Sequence, residues 1–289
     1  MTHLRIALPT GVRSIWPADA MSDVPRLIGV VGMLLWALAA VAAPLITPYD
    51  PTKLGSAIPL LPPTAAHIFG TDQLGRDLFT RVIYGARIDL QIGLIGVAIP
   101  LTTGTLIGLL AGYRGGLLDA LFGRIVDIVT AFPFVVLVIA IVAMLGPGLV
   151  NLYIAISAVS WVAYARIVRG ETLLQKNREF TLAARALGYR DARIMLRHLL
   201  PNVIAPAIVF SVSDFALDVL LGASVGFFGL GVQSPTPEWG VMIAEGRTFI
   251  LTSSWVVVFP GLAIVSVGFF MGLIGDSLAD AIRRVGPRK

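Results

Sequence analysis

Hydrophobic positions in this chain neither alternate nor recur every third or fourth residue; they run together. Residues 27–49, 90–113, 128–165 and 248–275 contain no Asp, Glu, Lys or Arg. Because about 20 apolar residues cross a bilayer, uncharged runs of this length predict an all-α integral membrane protein that crosses several times. The run 128–165 would be about 57 Å long as one helix, nearly twice the roughly 30 Å hydrocarbon thickness, so it folds back on itself. Gly146, Pro147 and Gly148 near its middle mark the turn. The pattern predicts six spans, at about 27–47, 89–112, 125–146, 149–168, 204–231 and 256–280.

Asp214 and Asp218 interrupt the fifth run, and splitting it there would give seven spans with the termini on opposite sides. Charge placement argues against the split. With six spans, all but five (Lys53, Arg76, Arg81, Arg87 and Arg247) of the 22 Lys and Arg lie on one side. Positive-inside bias then makes that side, with both termini, cytoplasmic. The expected organisation is a cytoplasmic segment 1–26, a six-helix membrane domain 27–280 and a cytoplasmic tail 281–289. Segments 48–87 and 233–255 lie outside the membrane and 169–201 inside. Ala40, Val41 and Ala42 resemble a signal-peptide cleavage site, but an apolar run of about 20 residues exceeds the 7 to 15 of a signal peptide, so the run is read as an uncleaved first span.

Composition agrees: 56% of residues are hydrophobic, 13% are charged and the mean hydropathy is +0.86. The net charge of +5 is accounted for by loops on one face of a membrane, and no nucleic acid partner is expected. With no cysteine, disulfides and thiolate chemistry are excluded. The three lysines do not follow glycine in a phosphate-binding loop, and the three histidines (His3, His67 and His198) are too scattered for a metal site. This chain is therefore expected to bind no cofactor or metal and to hydrolyse no nucleotide by itself.

Two regions carry chemistry. Between spans four and five, a short helix from Glu179 is ended by Gly188, a residue suited to a left-handed cap. A second helix starts near Arg190, and Pro201 leads on into the membrane. Ala183, Ala184 and Gly188 keep the corner small, while Arg190, Arg193 and Arg197 charge one face; His198 beside them reads as solvated or facing a partner. The corner could dock another subunit or rest on anionic headgroups. In span five, Asp214 and Asp218 stand one helical turn apart, where a carboxylate costs about 2.5 to 3.5 kcal/mol. The expected position is a water-filled cavity; pairing with another subunit or with arginines near the membrane is the alternative.

Ala183-Ala184-x3-Gly188 with Leu200-Pro201 resembles the EAA loop of membrane subunits of ATP-binding-cassette importers, although Leu182 stands where that family has its first glutamate. Phe69-Gly70-Thr71-Asp72-Gln73-Leu74-Gly75-Arg76-Asp77, Tyr164-Ala165-Arg166, Phe228-Gly229-Leu230-Gly231 and Glu238-Trp239-Gly240 are similar to the C-type permeases of its dipeptide/oligopeptide/nickel branch. The resemblance implies a type I ABC importer permease fold in a bacterial inner membrane. It also implies a paralogous B-type permease, two ATPase subunits carrying ATP and Mg, and an extracytoplasmic substrate-binding protein. Glu179, Ala183, Ala184, Gly188, Arg190 and Pro201 would couple to the ATPases, and Asp214 and Asp218 would line the pathway. From Asp72 the chain is amphipathic, so a surface helix is expected there. Asp72, Asp77, Glu238 and Arg247 would dock the binding protein, or this helix would merely brace span two. Cargo would be a di- or oligopeptide, with nickel chelate, glutathione or haem as alternatives. A secondary transporter should show internal repeats, and none is visible; a structural subunit without a pathway is the third reading.

Overall fold

The computed structural model describes residues 24–55 and 57–285, with side chains through Ala281. The expected cytoplasmic N-terminal segment, up to residue 23, and the tail beyond residue 285 lie outside the described residues. Helices are α1 (Val24–Ile46), α2 (Leu78–Arg114), α3 (Gly116–Thr130), α4 (Phe134–Leu145), α5 (Leu149–Gln175) and α6 (Glu179–Ala186). The short α7 (Asp191–Arg193), a π-helical turn Ile194–Leu199 and the short α8 (Leu200–Val203) lead into α9 (Ala205–Phe227), followed by α10 (Trp239–Gly246) and α11 (Trp255–Val285). Among the described residues five helices are long and apolar enough to cross a membrane, and α3 with α4, bent by 85° at the break between them, make a sixth if the pair is counted as one span.

The third span thus departs from the straight helix expected at 125–146. Pro133 lacks an N–H and disfavours helical geometry at Phe132, so α3 stops at Thr130 and the chain turns before α4. The second span also differs, because no separate surface helix begins at Asp72. Asp72 Oδ1 accepts from the Leu74 and Arg76 amides, and Gly75 takes φ +70°, so this stretch is a turn. Asp77 then caps α2, its Oδ2 accepting from the Thr80 amide at 2.8 Å. The amphipathic stretch from Leu78 is simply the first turns of a helix of 37 residues.

α2 and α5 run parallel and close. Gly104 faces Trp161 and Tyr164, Gly108 faces Ala165, and Gly112 faces Thr172; a Cβ on Gly104 would sit 2.5 Å from the Trp161 carbonyl oxygen. Glycine every fourth residue lets the backbones touch, which is how helices associate where lipid supplies no hydrophobic drive between them. α9 packs on the first half of α2, with Phe215 on Gly93 and Ile92 on Gly222. α1 packs on α11 through Gly29 and Gly32 against Phe270, and Trp36 donates to Ser266 Oγ at 2.9 Å. Apolar side chains such as Leu35, Leu38, Val136 and Val265 remain exposed, as a lipid-facing surface requires.

One end of the bundle carries α6 to α8 and is called the loop end. The other, the cap end, carries residues 47–77 and the segment around α10. At the loop end the second helix expected from Arg190 is interrupted by the π-helical turn. Pro201 and Pro206 cannot donate to the carbonyls of Arg197 and Asn202, which loosens the α-helical ladder on both sides of Leu200.

Candidate functional site

At the cap end, Arg76 and Arg81 are fully buried. Arg76 donates through Nε to Asp72 Oδ2 at 2.5 Å and through Nη2 to Glu245 Oε2 at 2.7 Å. Arg81 Nη2 reaches the same Glu245 oxygen at 3.2 Å, and its Nη1 donates to the carbonyls of Pro51 and Pro235. His67 Nδ1 lies 2.8 Å from Asp77 Oδ1. Nearby, Glu238 caps α10 by accepting from the Gly240 and Val241 amides at 2.6 and 2.9 Å. Burial pushes its carboxyl upward from the usual glutamate range, against the pull of those two amides. Trp239 donates from its amide to Asp89 Oδ2 and from its indole to the Val82 carbonyl.

This geometry corrects the docking set. Asp72, Asp77 and Glu238 are buried and engaged within the chain, so they brace the cap and present no charge to a partner; Arg247 is exposed. Acidic residues read as surface groups had been needed inside, as helix caps and as counterions to two buried arginines.

In the membrane the two aspartates part company. Asp214 lines a cavity of about 340 Å³ between α3, α4, α5 and α9, and its Oδ2 accepts from the Tyr164 hydroxyl at 2.7 Å. Asp218 is fully buried against α2, where a Cβ on Gly96 would overlap its carboxylate, and both its oxygens lack a hydrogen-bond partner among the described residues. The expectation that both face the cavity is therefore corrected for Asp218, which packs against Gly96 of α2. The partner of Asp214 among the described residues is thus the tyrosine hydroxyl. Tyr164 and Arg166 were quoted only within a family motif. Their chemistry was visible as a buried-span hydroxyl needing an acceptor and a cation close to an apolar run.

At the loop end, α6 closes in a Schellman arrangement. Gly188 takes φ +73°, its amide bonds to the Arg185 carbonyl, and the Tyr189 amide bonds to Ala184 O. Ala184 packs inward, while Glu179, Ala183 and Arg190 are exposed. Tyr113 ties the corner to α2 by donating to Asp191 Oδ1 at 2.9 Å. His198 is half-buried and stacked on Tyr189, whose other face neighbour is the Arg193 guanidinium 4.2 Å from the ring centroid. Pro201 is the second residue of α8, with Leu200 between it and the end of the π-helical turn.

Residues 104–284 match the family described as binding-protein-dependent transport system inner membrane component. The chain is 44% identical over 256 residues to a dipeptide transport system permease of Alkalihalophilus pseudofirmus, covering 89% of this chain and 84% of that one. It is 42% identical over 283 residues to a di/tripeptide transport system permease of Pseudomonas aeruginosa, covering 96% and 93%. A glutathione transport system permease of Pectobacterium atrosepticum is 38% identical over 271 residues, covering 93% and 90%.

Proposed function

Because the chain belongs to the family of binding-protein-dependent transport system inner membrane components, we propose that it is one permease half of an ATP-driven importer of di- and oligopeptides. A paralogous B-type permease supplies the other half. Two ATPase subunits, which bind the ATP and Mg, sit against the loop end, and an extracytoplasmic binding protein delivers cargo at the cap end. The loop end is then cytoplasmic, in keeping with the concentration of Arg and Lys there.

The observation that carries this reading is the exposed α6 corner. A glycine-capped helix with a small-residue face protrudes from an otherwise lipid-facing bundle and connects through the π-helical turn to α9, the helix that bears Asp214. Movement of ATPases gripping α6 is passed to α9 and tilts the wall of the cavity, so ATP-driven closure opens the pathway outward and hydrolysis returns it inward. Glu179, Ala183, Ala184, Gly188, Arg190 and Pro201 carry that coupling. The peptide names of the relatives support the cargo class; glutathione, itself a peptide, is the nearest alternative.

The test is reconstitution of the complete transporter in proteoliposomes with its binding protein. Dialanine should raise ATP hydrolysis and accumulate. Accumulation of glutathione or a nickel chelate with none of dialanine would overturn the cargo assignment.

A further inference from the structure

The cavity holding Asp214 has a second charged wall. Arg166, on α5, lines the same space of about 340 Å³ and is exposed, with no ion pair or hydrogen bond among the described residues. Its neighbour Arg169 is neutralised by Asp119, to which it donates from both Nε and Nη2. Among the described residues Arg166 forms no ion pair, not even with Asp127, which lines an adjoining cavity of about 260 Å³ with it. The cavity therefore presents one free cation and one carboxylate. Asp214 spends Oδ2 on Tyr164 and keeps Oδ1 without a partner among the described residues.

Two further features of the cavity suit a small solute. Ser160 lines this cavity, is 5% exposed, and its buried hydroxyl has no partner among the described residues. The remaining walls include Phe132, Phe134 and Phe210, which suit apolar side chains without selecting among them. Thr130 and Arg166 are shared with the adjoining cavity, which runs on toward the loop end past Asp127 and Arg169, so the space continues toward the cytoplasm.

We propose that Arg166 and Asp214 are the two poles of a transit site for zwitterionic peptides, Asp214 receiving the α-ammonium and Arg166 the α-carboxylate. This rests on the peptide-permease reading and adds specificity-determining residues to it. An extended dipeptide is about 7 Å long, and the volume falls within the roughly 300 to 1,000 Å³ of small-molecule sites. A free guanidinium matches a carboxylate with two parallel hydrogen bonds, and the burial of Asp214 strengthens the contact made there. The aromatic walls contact side chains by area alone, so the termini are recognised and the sequence between them is not.

The experiment measures dialanine taken up per ATP hydrolysed by the complete transporter in proteoliposomes with its loaded binding protein. Arg166→Gln and Asp214→Asn should each lower this ratio roughly tenfold, the value of one charge-assisted hydrogen bond, while stimulated ATP hydrolysis persists. Arg166→Lys keeps the charge but gives up the paired hydrogen bonds and should restore only part of the ratio, which a merely structural arginine on an exposed helix face would not require. An unchanged ratio in both neutral variants would overturn the site. So would an equal fall of uptake and ATP hydrolysis, which leaves the ratio unchanged and would assign the residues to turnover or assembly of the complex. Failure of the unsubstituted transporter to move dialanine would overturn the peptide reading itself and the transit site with it, and so is distinguishable from loss in the variants alone.

Discussion

Arg76 and Glu245 stand 169 residues apart in the chain and meet at 2.7 Å. That contact joins the turn before α2 to the end of α10, and Glu245 holds Arg81 as well. Two arginines face two carboxylates, Asp72 and Glu245, with both guanidinium groups out of solvent. Removing one partner leaves a buried charge uncompensated, which costs about 3 to 5 kcal/mol. Glu245→Ala should therefore lower the thermal midpoint of the detergent-solubilised protein markedly, whereas Arg247→Ala, on the exposed side of the same segment, should leave it within the scatter of repeat scans.

The α2–α5 seam makes a steric prediction. A Cβ at Gly108 would overlap the Ala165 backbone, which cannot move aside as a flexible side chain would. Gly108→Val should cost at least about 1 to 3 kcal/mol and reduce the monodisperse fraction in size-exclusion chromatography. Gly123→Val, where nothing lies within 4 Å of the added Cβ, is the control expected to behave as the unsubstituted protein.

At Gly188 the difficulty is conformational. Nothing lies within 4 Å of an added Cβ, yet φ is +73°, which a β-branched residue resists by roughly 1 to 2 kcal/mol. Gly188→Val should unwind the end of α6 and lower the amount of ATPase co-purifying with the membrane subunits, while Gly188→Asn, which tolerates the left-handed region, should retain it. Equal ATPase recovery with all three residues would remove this corner from the docking surface.

Glu238 is predicted to act as a structural cap. Glu238→Ala abolishes two bonds to the first amides of α10 and should cost about 0.5 to 2 kcal/mol, read as a lower thermal midpoint. Because the carboxylate is enclosed, binding-protein-stimulated ATP hydrolysis measured well below that midpoint should change little; a selective loss of stimulation in a fully stable variant would return Glu238 to the docking surface.

How much of this was written in the chain can be judged residue by residue. Uncharged runs and the Gly146-Pro147-Gly148 turn are local properties, and they were enough to find an all-helical membrane protein and the approximate place of each span. Gly188 as a helix terminator and the absence of a nucleotide-binding loop were equally local. Pro133 was also visible, but whether a proline in a span bends it slightly or turns it by 85° depends on what packs against both arms, here α5 beside α4. The fate of the acidic residues was still less legible. Asp72, Asp77, Glu238, Asp214 and Asp218 look alike in sequence, and a carboxylate's role is set by partners that lie far along the chain: Glu245 beside Arg76, Tyr164 beside Asp214, Gly96 beside Asp218. Hydrophobic runs determine which segments enter the bilayer because each segment's transfer free energy is nearly its own. Helix packing alone decided which polar groups meet, because electrostatic and hydrogen-bond energies depend on distances that no single segment contains.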